Sequence, residues 1–259
     1  MARGRVFSRG YARGRGGRGA GSSQRAPLTH FLCLPLVNSS SKAELEASLQ
    51  RFRRIVTTLN APLNTVPKLP LEAIRNVESL HLTLGVMSLG DEKLQEAIKL
   101  LNGLDIHELY TSVAPSEIPS TSETAPALTI SLRSLVSMHT PTDTSVLFAD
   151  PHDPSERLRT FAENLHAKFR DAGFLIDENR PLKLHATVYN TVYVRNSGRN
   201  KPRIDAVRLL GECKDFYWAN QIRIEKVTIC KMGAVREFNA AGEIVSEKYE
   251  EVAALDLPS

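Results

Sequence analysis

The chain has 259 residues, 42% of them hydrophobic, with three cysteines and a formal net charge of +4. That length and apolar content can bury a sizeable core, and no run of about 18 apolar residues offers a transmembrane helix. Three scattered cysteines supply neither a disulfide framework nor a Cys-x-x-Cys zinc site, which suits a reducing compartment. Cys33 and Cys230, inside apolar runs, read as buried small hydrophobes. The charge is uneven. Residues 1–25 hold seven arginines and no acid, so removing them from +4 leaves the remainder at −3. The folded part therefore offers no overall cationic field to gather nucleic acid.

Residues 1–26 form a Gly/Arg tract with the stretch Arg15-Gly16-Gly17-Arg18-Gly19, too apolar-poor to fold, and are expected to be a disordered tail. Such a tail can contact RNA through phosphate charge and guanidinium stacking, or serve as a bland or targeting segment. The globular domain is expected over 27–259.

A buried first strand is predicted at Thr29–Leu36. A helix from about Lys42 to Leu59 follows, capped by Ser41 or Ser40, with Leu45, Leu49, Phe52, Ile55 and Val56 at helical spacing. The stretch Asn60–Pro70 reads as a loop, Val77–Met87 as a strand, and Asp91 to Leu104 as a helix. Beyond a Ser/Thr/Pro-rich loop at 113–126 come strands at Ala127–Leu135 and Ser145–Phe148. Asp153-Pro154-Ser155-Glu156 then has cap, proline and glutamate in the order of a helix start, and that helix should reach Ala172. A strand over Leu182–Val194, a short helix at Ile204–Gly211, and strands at Gln221–Lys231 and Tyr249–Leu255 complete the chain. This order suggests a duplicated α+β architecture.

Two tripeptides stand out, His81-Leu82-Thr83 and His185-Ala186-Thr187, each within a strand-like run. None of His30, His107, His139, His152 or His166 is followed by Thr two residues on. Residues i and i+2 of a strand share a face. His81 and Thr83 should therefore project together, with Leu80, Leu82 and Leu84 behind, and His185 and Thr187 should project together in front of Leu184, Ala186 and Val188. Two imidazoles can supply the base and acid that a phosphodiester needs, and two hydroxyls can donate to its non-bridging oxygens. No metal or cofactor is required.

Ser79, Lys183 and Tyr189 extend these faces by the same alternation. Tyr189 could stack a base or pack internally, and Lys183 could serve as a phosphate counter-charge or as a solvated strand-end lysine. Gly85 could let substrate approach the backbone closely. Which histidine is base and which is acid is left open by the sequence.

Several longer strings carry a family likeness: Phe31–Leu36 (FLCLPL), Ser79–Leu89 (SLHLTLGVMSL), Val146–Leu158 (VLFADPHDPSERL), Arg180–Val194 (RPLKLHATVYNTVYV) and Ile224–Ala234 (IEKVTICKMGA). Over about residues 27–257 the chain resembles the two-histidine (2H) phosphoesterase superfamily, which includes 2′-5′ RNA ligase-like proteins. Within it the likeness is to the branch of A-kinase anchor protein 7 and activating signal cointegrator 1 complex subunit 1.

The resemblance implies a bilobal α+β fold, two antiparallel sheets flanking a central cleft with helices outside. It implies His81, Thr83, His185 and Thr187 as catalytic residues acting on RNA ends or small nucleotides, 2′,3′-cyclic or 2′,5′-linked. It equally implies a second role, an RNA- or nucleotide-binding subunit of a nuclear coactivator or repair complex. A monomer free of membrane contact, in nucleus or cytoplasm, is expected. In place of the KH domain of the cointegrator subunit stands only the Arg/Gly tail, and no amphipathic helix follows Leu255, so kinase anchoring is not carried over.

Overall fold

The computed structural model describes residues 27–61, 68–111, 127–177, 180–194, 201–240 and 244–258. The expected tail at 1–26 and the loop expected at 113–126 lie outside the described residues.

Eight strands form one antiparallel sheet: β1 (His30–Pro35), β2 (His81–Met87), β3 (Thr129–Ser137), β4 (Val146–His152), β5 (Ala186–Asn190), β6 (Tyr217–Arg223), β7 (Lys226–Lys231) and β10 (Glu251–Asp256). Their order is β10-β7-β1-β2-β5-β4-β3-β6. β8 (Val235–Phe238) and β9 (Ile244–Lys248) pair as a separate hairpin.

The two expected sheets are thus continuous. The halves β10-β7-β1-β2 and β5-β4-β3-β6 meet through a single registered pair, Leu82 with Ala186. The run expected as one strand at Gln221–Lys231 is instead two, β6 and β7, six strand positions apart. At about 4.8 Å per strand a flat sheet would set them roughly 29 Å apart, yet only Ile224 and Glu225 link them, a reach of about 10 Å. The sheet must curl until its ends approach.

Helices α1 (Lys42–Asn60), α2 (Asp91–Asn102), α4 (Arg157–Asp171) and α5 (Val207–Glu212) pack on β6, β10, β2 and β3 respectively, and the short α3 (Ile106–Thr111) packs on α4. In α1 the spacing of Leu45, Leu49, Phe52, Val56 and Leu59 gives one buried stripe, with Phe52 against Trp218 at 5.2 Å. Helix side chains and Leu32, Leu34, Leu82, Leu84, Leu147, Ala149, Ala186 and Val188 form one contiguous core. The opposite face of the central strands carries the site.

Three helix starts differ from expectation, and α5 begins at Val207 and not at Ile204 because Ile204 pairs with Thr144. Ser41 occupies the N-cap position of α1, but its hydroxyl donates to the Leu36 carbonyl and caps no helical amide. α4 begins at Arg157, because Glu156 adopts a left-handed conformation (φ 56°). Asp153 still serves the turn: one carboxylate oxygen accepts from the Ser155 amide and hydroxyl, the other from the Leu158 amide.

Candidate active site

β2 alternates half-buried His81 and Thr83 with buried Leu82 and Leu84, and Ala186 and Val188 are buried on either side of half-buried Thr187. Since β2 and β5 run antiparallel about the Leu82–Ala186 pair, the register sets Thr187 opposite His81 and His185 opposite Thr83. The two tripeptides therefore share one face across the seam, related by a local two-fold.

Both histidines are held the same way. His81 Nδ1 lies 2.8 Å from the Ser79 carbonyl and His185 Nδ1 lies 2.7 Å from the Lys183 carbonyl. A carbonyl only accepts, so Nδ1 carries the proton in each ring, leaving Nε2 as the reactive nitrogen. His81 Nε2 meets the Thr83 hydroxyl at 3.0 Å. Ser79 thus takes part through its backbone. It lies in a 3₁₀ turn before β2, and its own hydroxyl donates to the Asn76 carbonyl.

Around His81 the chain builds an apolar wall. Phe31 stands 5.0 Å away and Tyr249 meets the imidazole edge-on at 5.2 Å. Loss of water lowers the His81 pKa to about 4; the positive fields of Arg75 and His185 add to this, and the Ser79 carbonyl opposes it. His81 is therefore neutral at pH 7. On the other side, His185 meets the edge of Phe148 at 5.5 Å, and the exposed Lys183 places Nζ 4.7 Å from the same ring.

Behind His81 lies a polar network that sequence reasoning missed. Arg75 Nη1 pairs with Glu247 at 2.6 Å, Nη2 reaches the Tyr249 hydroxyl at 3.3 Å, and the guanidinium lies 3.7 Å from the Tyr193 ring centre. Arg236 also contacts Glu247, at 3.3 Å. Glu247 lies on β9, 172 positions after Arg75, so no local pattern could announce the pair. Phe31 had a usable signal, since period-2 alternation from Leu32 and Leu34 sends Phe31 and Cys33 to the other face.

Three cavities converge here. One of about 180 Å³ touches His81, Thr83, Thr187, Asn190, Tyr193 and Tyr249. A second of about 260 Å³ runs from Thr83 and His185 toward Lys183, Arg180 and Arg170. A third of about 480 Å³ lies beside His81, Cys33 and Cys230.

Tyr189 is absent from all three. A register shift between Leu147 and Phe148 leaves Val188 as a bulged residue, so Tyr189 turns into the core fully buried and Asn190 takes its place on the cleft face. The stacking alternative for Tyr189 is thereby corrected to the packing one. Gly85 also differs from expectation: the Leu175 side chain occupies the space above it, 2.6 Å from where a Cβ would sit. Among the described residues, no three His, Cys, Asp or Glu side chains gather as a metal's ligands would.

A family model described as the AKAP7 2'5' RNA ligase-like domain matches residues 28–245. An uncharacterized protein of Schizosaccharomyces pombe is 28% identical over 235 residues, covering 90% of this chain and 98% of its own length. Activating signal cointegrator 1 complex subunit 1 of Mus musculus is 25% identical over 235 residues; the match takes in 83% of this chain and 61% of the mouse protein. Among solved structures, E. coli LigT complexed with 3'-AMP superposes with a TM-score of 0.50 at 17% identity, over 90% of this chain and 99% of that one, a likeness of fold. Matched over most of its length, the chain belongs to the AKAP7 2'5' RNA ligase-like domain family.

Proposed function

We propose that this domain is a metal-independent phosphodiesterase for RNA ends or small nucleotides, 2′,3′-cyclic or 2′,5′-linked. The observation that carries it is the symmetric presentation of two Nε2 atoms, each fixed by a carbonyl at Nδ1, on one face of the β2–β5 seam. The neutral His81 takes a proton from the attacking hydroxyl or water. The attacking oxygen bonds to phosphorus while the phosphorus–oxygen bond to the leaving group breaks, and His185, entering the step as an imidazolium with a second proton on Nε2, gives that proton to the leaving oxygen. The Thr83 hydroxyl, which otherwise donates to His81 Nε2, turns when substrate binds and, with the Thr187 hydroxyl, donates to the non-bridging oxygens, where charge develops. Family membership supports the phosphoesterase class, and the nucleotide complex of the LigT neighbour is consistent with a nucleotide in the cleft.

A panel of 2′,3′-cyclic mononucleotides and 2′,5′-linked oligonucleotides, assayed with EDTA present, tests this. Turnover of at least one class is expected, and none across the panel would overturn it. Kinship with a mouse cointegrator complex subunit supports a second reading, an RNA- or nucleotide-binding subunit of a nuclear complex. Tight binding without turnover would favour that reading.

A further inference from the structure

The cleft is electrically lopsided. On the His81 side the larger cavity is bordered by Lys248 and by Glu78, Glu250 and Glu251, which pair with Lys42, Lys231 and Lys226 in turn, and the adjoining one holds Arg75, matched by Glu247. On the His185 side, among the described residues, the 260 Å³ cavity is bordered by Arg170, Arg180 and Lys183, with His166 among them, and by Asp177. Arg170 shares its charge with Asp171 at 2.9 Å, both exposed, a pairing worth little in water. Outside the first 25 residues the chain is net negative by three charges, so three cations gathered at one end of one cleft are not a background property.

These cations come from separate places, Arg170 from the last turn of α4 and Arg180 and Lys183 from the segment leading into β5, and they converge on the cavity that His185 and Thr83 open into. A phosphate there would stand beyond the scissile one, on the side of the histidine that protonates the leaving oxygen. The aromatic wall of Phe31, Tyr193 and Tyr249 borders the opposite cavity, which suits a nucleoside and not an extra charge.

We propose that the cavity bordered by Arg170, Arg180 and Lys183 is a second-phosphate subsite, so that favoured substrates carry a further phosphate on the leaving fragment. This rests on the phosphodiesterase reading for its orientation, with His185 as the acid, but the subsite itself is a matter of binding. Oligonucleotides and terminally phosphorylated dinucleotides share this chemistry, whereas a 2′,3′-cyclic mononucleotide lacks it.

The test is calorimetry on the whole chain with a 2′,5′-linked dinucleoside phosphorothioate in three forms: no terminal phosphate, a 5′-terminal phosphate, and a 3′-terminal phosphate. A dinucleotide extended by one nucleotide, as a fourth ligand, separates an internal phosphodiester from a terminal group. One terminal phosphate should tighten Kd about tenfold, as charge-assisted contacts do. In Arg170→Gln/Arg180→Gln protein that gain should fall below twofold, and a higher salt concentration should shrink it in the wild type. A gain under twofold in the wild type, or one that survives the double variant, overturns the subsite. Turnover of the ordinary dinucleotide in water labelled with oxygen-18 shows which fragment leaves. Absence of turnover counts against the phosphodiesterase reading and leaves the binding result intact.

Discussion

Arg75 and Glu247 meet at 2.6 Å with both side chains only 4% exposed, joining the segment before β2 to the β8–β9 hairpin. Glu247 also holds Arg236, so one carboxylate answers two guanidinium groups behind the His81 wall. Removing one partner of a buried pair leaves an uncompensated charge, which costs about 3–5 kcal/mol. Glu247→Gln should therefore lower the unfolding free energy by that order in urea titrations. Adding Arg75→Met to Glu247→Gln should recover part of that loss, because only Arg236, 25% exposed, is then left without the carboxylate. A Glu247→Gln protein as stable as the wild type would show that the pair is not buried in solution.

The low proton affinity of His81 has a stability consequence with a definite sign. Its folded pKa is about 4, below the ordinary histidine value of ~6.5. Between those two values the unfolded chain binds a proton that the folded chain declines. Stability from this group is complete above about pH 6.5 and is lost as the pH falls toward 4, at most ~3 kcal/mol in all. In His81→Gln protein the fall in stability across that window should be shallower. The acid limb of kcat/KM in the wild type should lie below pH 5, and a limb near 6.5 would contradict the desolvated setting of His81.

Tyr189 gives a prediction of opposite sign. Its hydroxyl is buried and has no hydrogen-bond partner, and burial holds its proton well above the usual phenol range. Tyr189→Phe removes an unsatisfied polar group, so thermal stability should hold or rise, by up to about 1 kcal/mol. KM should not change. A raised KM would return Tyr189 to the cleft.

How far the sequence reaches is visible at these same residues. The HLTL alternation was legible because one face of β2 meets a continuous leucine core, which locks the register. Tyr189 was placed on the wrong face because a single bulged residue in β5 reverses every side chain after it, and nothing in Thr187-Val188-Tyr189-Asn190 announces a bulge. The Gln221–Lys231 run has no breaker between its two strands, so only the pairing of β6 with β3 and of β7 with β1 separates them. The β8–β9 hairpin was missed because its strands are short and polar, and with it Glu247, the partner that makes Arg75 part of the site.

The claim that His81 and His185 work as one acid–base pair has a direct test in single-turnover cleavage by His81→Ala, His185→Ala and the double variant, with EDTA present. Each single change should lower the chemical rate about a hundredfold or more. The double change should cost much less than the product of the two, because both groups serve one transition state. Wild-type rates in either single variant, or losses that simply multiply, would contradict the pairing.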